Sequence, residues 1–159
     1  MLSINKDVKI IVTDFDGVLT DGYVYYSSVS DGETKRISFK DIMGISLALK
    51  NNYKVGIISG EKNSIIDKLA GKFSLEDVHQ GIKDKLSVLK TISEKYQTPF
   101  SKICYIGDDI NDIAALEAAG IAVTVPDANY KVKQVPDIYI TKANSGNGAF
   151  REVIDSILH

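Results

Sequence analysis

Asp14 and Asp16 stand one residue apart in Thr13-Asp14-Phe15-Asp16-Gly17-Val18, directly after an apolar, β-branched run. In an extended chain, positions i and i+2 point to the same side, so both carboxylates can converge at the carboxyl end of a strand. Two like charges that close are unfavourable unless a cation joins them or one stays protonated. The pair therefore calls for a hard ion with oxygen ligands, and magnesium, held at roughly 2.1 Å with several retained waters, is the expected one. Taken alone, Asp-x-Asp-Gly also reads as a turn with solvated acids.

A second acidic cluster, Tyr105-Ile106-Gly107-Asp108-Asp109-Ile110-Asn111-Asp112, follows another apolar run and opens a helical stretch. Capping of a helix start accounts for one of its acids, but hardly for three together with Asn111. Between the clusters lies Ile57-Ile58-Ser59-Gly60. A hydroxyl and a backbone N–H at a strand end suit a phosphate oxygen, and an ordinary strand-to-helix turn explains the same residues. Lys85 sits near a helix start, where the helix dipole does not favour a cation; its plain reading is a surface lysine.

The elements that must carry these residues alternate short apolar runs with stretches of helical period, the pattern of a parallel sheet covered on both faces by helices. The fold class is α/β, a doubly wound parallel sheet. Strands are expected at residues 8–13, 54–59, 77–79, 102–106, 121–123 and 138–140. Helices are expected at 41–51, 62–72, 83–96, 110–119 and 148–158. Residues 21–40 depart from the alternation. There, 23–26 and 36–39 read as two strands joined through Asp31-Gly32, a hairpin flap. Tyr23 and Tyr25 would lie on one of its faces, Val24 and Tyr26 on the other. Such a hairpin cannot cover both faces by itself, so it packs on its own domain or meets another subunit.

The chain has 159 residues, 44% of them hydrophobic, with a formal net charge of −2. That length suits a single domain over 1–159. Lys and Arg are scattered, giving no basic field for nucleic acid. The first eight residues contain neither a signal-peptide core nor a membrane span, so a cytoplasmic location and no membrane partner are expected. Cys104, the single cysteine, lies in an apolar run and reads as a buried structural thiol. His79 and His159 offer no catalytic pair, and Arg151 reads as a salt-bridged helix residue.

In their order along the chain, these four elements resemble the haloacid dehalogenase superfamily, over nearly the whole sequence. The resemblance implies that Asp14 is the nucleophile, Asp16 the general acid and base, Ser59 and Lys85 the phosphate-orienting residues, and that the metal is ligated by the Asp14 carboxylate, the Asp16 backbone carbonyl and Asp108. Physical chemistry supports these roles: Asp14, ionised at neutral pH, must approach an anionic phosphate, and a magnesium ion and the Lys85 ammonium would cancel the repulsion. Candidate substrate contacts are Gly17, Gly60, Glu61, Asp109 and Asn111. Asp16 also narrows the chemistry to a phosphatase or phosphomutase, and mutases generally need a closing cap to exclude water.

The intervals between motifs leave no room for a cap domain. Thr13 to Gly22, Gln80-Gly81, and Ser145 to Glu152 closely resemble the capless 3-deoxy-manno-octulosonate 8-phosphate phosphatases and their nonulosonate 9-phosphate relatives. That likeness implies a small-molecule sugar phosphate as partner and a homotetramer whose neighbouring subunits help to complete each site. Octulosonate phosphatases usually carry Arg after the Ser/Thr-Gly, where this chain has Glu61. Glu would repel a substrate carboxylate and accept hydrogen bonds from sugar hydroxyls, so the expectation leans to a sialic-acid-type, nine-carbon substrate, with the octulosonate as the alternative; Glu61 equally serves as a helix cap. A noncatalytic ulosonate-binding or scaffold protein is the rival from another class. A phospho-accepting receiver domain is disfavoured because receivers have no acid two residues beyond the acceptor.

Overall fold

The computed structural model describes residues 4, 7–29 and 31–159. Most of the amino-terminal segment considered above, and position 30 in the hairpin, lie outside those residues. In chain order the elements are β1 (Ile10–Thr13), β2 (Tyr25–Tyr26), β3 (Glu33–Thr34), α1 (Phe39–Lys50), β4 (Lys54–Ile58), α2 (Ser64–Phe73), β5 (Asp77–His79), α3 (Lys85–Lys95), β6 (Ile103–Ile106), α4 (Ile113–Ala118), β7 (Ile121–Thr124), β8 (Tyr139–Ile140) and α5 (Ala149–Leu158).

Six strands form one sheet in the order β5-β4-β1-β6-β7-β8, every pairing parallel. The strands β1, β6 and β7 are buried along their full length, which explains why they read as continuous apolar runs. Alternation divides their side chains between two cores. Ile11, Cys104 and Ile106 face one cluster, with Ile45 and Ala48 of α1, Ile66 of α2 and Phe150, Val153 and Ile154 of α5. Ile10, Val12, Ile103 and Tyr105 face the other, with Leu89 and Ile92 of α3 and Ala115 and Leu116 of α4. Helices thus cover both faces, as expected of a doubly wound sheet. Cys104 is fully buried, and desolvation pushes its thiol up to about 12.

The chain moves outward from β1 to β4 and β5, then returns to place β6 on the other side of β1. This reversal is a topological switch point, and open α/β sheets bind ligands outside the carboxyl ends of the strands there. β1, β6 and β4 lead there into Asp14, Gly107-Asp108 and Ser59. The hydrogen-bond ladder continues one residue beyond each strand, from Asp14 N to Ile106 O (2.8 Å), Gly107 N to Val123 O (3.1 Å) and Ser59 N to His79 O (2.8 Å). The residues that follow are therefore held by the sheet.

Two expectations need correction. The hairpin exists, but its second strand is β3, paired Tyr25 with Thr34 and Tyr26 with Glu33, rather than residues 36–39. Ser38 ends the flap by capping α1, its hydroxyl accepting from Lys40 N, so Phe39 is already helical. The flap's large side chains do not pack on their own chain: Tyr23, Tyr25 and Tyr26 are 69%, 53% and 77% exposed. The second correction concerns residues 110–119, which form a 3-10 turn (Ile110–Asp112) before α4 instead of one helix.

Candidate active site

An open cleft of about 260 Å³ at the switch point is lined by Asp14, Asp16, Gly17, Ser59, Gly60, Glu61, Asp108, Asp109 and Asn111, together with Gly22. All candidate residues drawn from the sequence except Lys85 line it, and Lys85 lies directly beneath. The Lys85 side chain is wholly buried, its Nζ 2.9 Å from Asp14 Oδ2 and 2.8 Å from Asp112 Oδ1. The surface-lysine reading therefore fails. A cation at the first residue of a helix is tolerated here because two carboxylates surround it.

Asp14 is 5% exposed. Its Oδ1 accepts from Phe15 N at 2.6 Å, which leaves Oδ2 to the lysine. Asp112 is saturated: Oδ1 accepts from Lys85 Nζ (2.8 Å) and Tyr105 Oη (2.7 Å), and Oδ2 from the amides of Asp108 (3.1 Å) and Asp109 (3.2 Å). It therefore positions the lysine and the Gly107-Asp108-Asp109 turn. In the sequence Asp112 counts among the three acids of the second cluster without a role of its own, and Tyr105 is given none. The available signal was an acid four residues after Asp108, on the same side of the turn.

Asp108 differs. Its Oδ1 is buried without a hydrogen-bond partner among the described residues. Carboxylate oxygens of Asp14, Asp108 and Asp112 lie within 4.8 Å of one another. Three carboxylates against one ammonium leave two negative charges uncompensated in a desolvated site. Burial, then the neighbouring carboxylates, push the pKa values of Asp14 and Asp108 well above the usual carboxylate range. Burial acts to lower Lys85, but Asp14 and Asp112 overcome it and the ammonium is held more strongly than usual. Hard oxygen donors, an orphaned buried oxygen and this excess of charge fit a divalent cation such as magnesium. Asp14 and Asp108 have the free capacity to hold it.

Gly17 has φ +81°, and a Cβ there would stand 2.0 Å from Asp108 Oδ2. Only glycine lets the Asp16–Gly17 peptide pass beside that carboxylate, which brings the Asp16 backbone to the same place. The Asp16 side chain is elsewhere. β1 ends at Thr13, so the extended-chain argument for converging carboxylates does not reach residue 16. Instead, Asp16 accepts from Lys35 Nζ through both oxygens, at 2.7 and 2.8 Å, and from Thr20 Oγ1 at 3.3 Å. The two acids meet different cations, Asp14 the Lys85 that it shares with Asp112, and Asp16 the Lys35 of the flap.

On the opposite wall, Ser59 Oγ donates to Glu61 O (2.9 Å) and accepts from Glu61 N (3.2 Å), a local turn at the cleft edge. Asp109 is the acid that capping explains, accepting from Ile110 N at 2.8 Å and from Asn129 Nδ2 at 3.2 Å. The amide of Asn111 approaches Gly60, its Nδ2 3.4 Å from where a Cβ there would sit. Arg151 pairs with Asp155 at 2.7 Å one helical turn on, as read from the sequence.

Comparison with known proteins agrees with this geometry. The family model of haloacid dehalogenase-like hydrolases matches residues 69–153. Among characterised relatives, the 3-deoxy-D-manno-octulosonate 8-phosphate phosphatase of Salmonella typhi is 32% identical over 153 residues, covering 96% of this chain and 80% of the relative. The crystal structure of the corresponding phosphatase from Moraxella catarrhalis, in complex with magnesium ion, phosphate ion and a KDO molecule, superposes with a TM-score of 0.90 at 34% identity, covering 96% of this chain and 87% of that one. The cobalt-bound form of the Haemophilus influenzae phosphatase gives a TM-score of 0.88 at 30% identity, covering 96% and 88%. With the switch-point cleft, its acids and its buried lysine on the same framework as these enzymes, the chain belongs to the haloacid dehalogenase-like hydrolase family.

Proposed function

We propose that the chain is a magnesium-dependent phosphatase that hydrolyses the phosphate ester of a 3-deoxy-ulosonate, through an aspartyl-phosphate on Asp14. The observation that carries this reading is the buried Lys85 bridging Asp14 and Asp112 beside the unpartnered carboxylate of Asp108. A bound magnesium ion would be held by the Asp14 carboxylate, the Asp16 carbonyl and Asp108, and would offset the charge of the phosphoryl group.

Within the chain, Asp14 is aimed by the Phe15 amide and by Lys85, whose ammonium also draws the anionic phosphate towards the carboxylate. Ser59 and the backbone of Gly60 orient the phosphate oxygens. Asp16 gives a proton to the departing ester oxygen, then takes one from the water that opens the phosphoaspartate. Asp112 and Tyr105 keep Lys85 in place throughout.

For the sugar, the relatives support an eight-carbon 3-deoxy-octulosonate 8-phosphate over the nine-carbon lean drawn from Glu61. One observation keeps the nine-carbon 9-phosphate as a second reading: Glu61 lines the cleft and is exposed, free to meet hydroxyls or a carboxylate. Phosphate release from the two esters, with and without EDTA, tests both levels. Metal-dependent release faster with the octulosonate ester supports the proposal; faster release from the nonulosonate ester reverses the substrate, and metal-independent release removes the mechanism.

The same proposal extends to assembly. Tyr23, Tyr25, Tyr26, Val29, Phe39 and Met43 form exposed apolar surface around the flap, more than a short hairpin can shelter. A homotetramer that joins flaps would cover it and narrow the open cleft. Sedimentation of the purified protein checks this, and a fully active monomer would remove it.

A further inference from the structure

Lys35 lies just beyond β3, on the flap, yet its side chain is only 4% exposed. Its sole ion-pair partner among the described residues is Asp16, 19 positions earlier, and the ammonium also stands 5.9 Å from the centre of the Phe15 ring. One ammonium nitrogen that meets both oxygens, at 2.7 and 2.8 Å, fixes the position of the Asp16 carboxylate, and the Thr20 hydroxyl on Oδ1 at 3.3 Å gives it a second direction. Flap and acid are joined elsewhere too. Thr20, which donates to Asp16, has its backbone bridged to Ile37 at the flap's far end, and Glu33 receives Asn63 Nδ2 across the cleft at 3.4 Å.

We propose that Lys35 is a flap-borne positioning residue that holds the Asp16 carboxylate where it can take a proton from water during hydrolysis of the phosphoenzyme. This rests on the reading of Asp16 as the general acid and base. Once the alcohol has left with its proton, Asp16 is a carboxylate, the form that Lys35 grips. Water then adds its oxygen to phosphorus while its proton passes to Asp16. The bond between the Asp14 oxygen and phosphorus breaks, and phosphate departs. A carboxylate left to rotate, or to seek another partner, meets that water less often. The flap thereby contributes to the second half-reaction without touching phosphorus.

The test uses 4-nitrophenyl phosphate, whose leaving group needs no proton, so formation of the phosphoenzyme is insulated from Asp16. In rapid-quench experiments with magnesium, Lys35→Met is expected to lower kcat by about 10- to 100-fold, the scale of general acid–base catalysis, with KM falling in proportion. A burst of nitrophenolate and a raised level of acid-trapped phosphoenzyme should accompany the fall, and Lys35→Arg should recover most of kcat. Equal losses in kcat and kcat/KM without trapped phosphoenzyme would mark a merely structural lysine and overturn the proposal, as would an unchanged kcat. Asp16→Asn separates the two readings. Accumulation in Asp16→Asn but not in Lys35→Met overturns the role of Lys35 alone, whereas no accumulation in Asp16→Asn overturns the Asp16 reading and this inference with it.

Discussion

The strand-end cluster lines the cleft, the hairpin flap reaches its edge through Gly22 and through Lys35 on Asp16, and the two are built by different means. In the cluster the strand-end residues are held by the sheet, and the buried groups around Lys85 satisfy one another, leaving Asp108 Oδ1 for a cation: Lys85 serves Asp14 and Asp112, and Asp112 serves Tyr105 and two amides. The flap has two-residue strands and exposed tyrosines. It is held to its chain mainly by polar contacts, including Lys35–Asp16 and Arg36 Nε to Asp21 Oδ2 at 2.9 Å. Reactive charge is enclosed within one chain, while the apolar side chains of the flap are exposed. Chemistry and assembly should therefore be separable by mutation.

The largest effect should come from the centre of the cluster. Lys85→Met leaves Asp14 and Asp112 facing each other without a cation. A loss of about 10²- to 10³-fold in kcat is expected from the missing electrostatic stabilisation, together with a lower Tm; a variant that kept full activity would show that the buried pair is structural only. The flap should respond in the opposite sense. Tyr25→Ser with Tyr26→Ser should prevent assembly of the proposed homotetramer, seen by light scattering, yet alter the unfolding free energy of the subunit by no more than about 0.5 kcal/mol, since these side chains are exposed. Destabilisation of the isolated subunit would mean that the flap packs on its own chain after all.

Metal and pH sharpen the contrast further. Burial, reinforced by the neighbouring carboxylates, raises Asp14 to about 7 and Asp108 to about 8 from the ordinary 3.8. A carboxyl raised on folding binds its proton more tightly in the folded state, so its contribution to stability is present below the unfolded pKa and is lost as pH rises through the folded value. Without metal, Tm should fall between about pH 4 and pH 8 from this source. A magnesium ion replaces those protons, so the rise in Tm on adding magnesium should grow with pH over the same window and shrink in Asp108→Asn. A magnesium effect independent of pH would place the ion elsewhere. The smallest effect belongs to the junction of flap and helix: Ser38→Ala, removing the cap of α1, should cost about 1 kcal/mol of stability in denaturant unfolding. Activity at low temperature should be unchanged.

The same division decides what the sequence made legible. The buried strands announced themselves because both their faces are apolar, as in Ile103-Cys104-Tyr105-Ile106, and the expected helices fall within two or three residues of those observed. Asp14, Ser59 and Asp108 could be placed because each stands within two residues of the end of such a strand. The flap could not be read as well. With one or two ladder pairs and no buried face, periodicity says little about register, although Ser38-Phe39-Lys40-Asp41 has the spacing of a helix start and could have ended the hairpin earlier. Asp41 is in fact wholly buried, accepting from the amides of Gly148 and Arg151 on α5. The pairs Lys35–Asp16 and Lys85–Asp112 join residues 19 and 27 positions apart. Only tertiary structure brings them together, and neither local pattern nor composition contains that information.

The proposed chemistry requires that Asp14 become covalently phosphorylated during turnover. Acid-quenched protein, taken during hydrolysis of an ulosonate phosphate in magnesium and digested for mass spectrometry, tests it most directly. The expected result is one phosphoryl group on the peptide containing Asp14, absent in Asp14→Asn and absent when EDTA is present from the start. Phosphate release by Asp14→Asn at the unmodified protein's rate, or a phosphoryl group mapped to any other residue, would contradict the account.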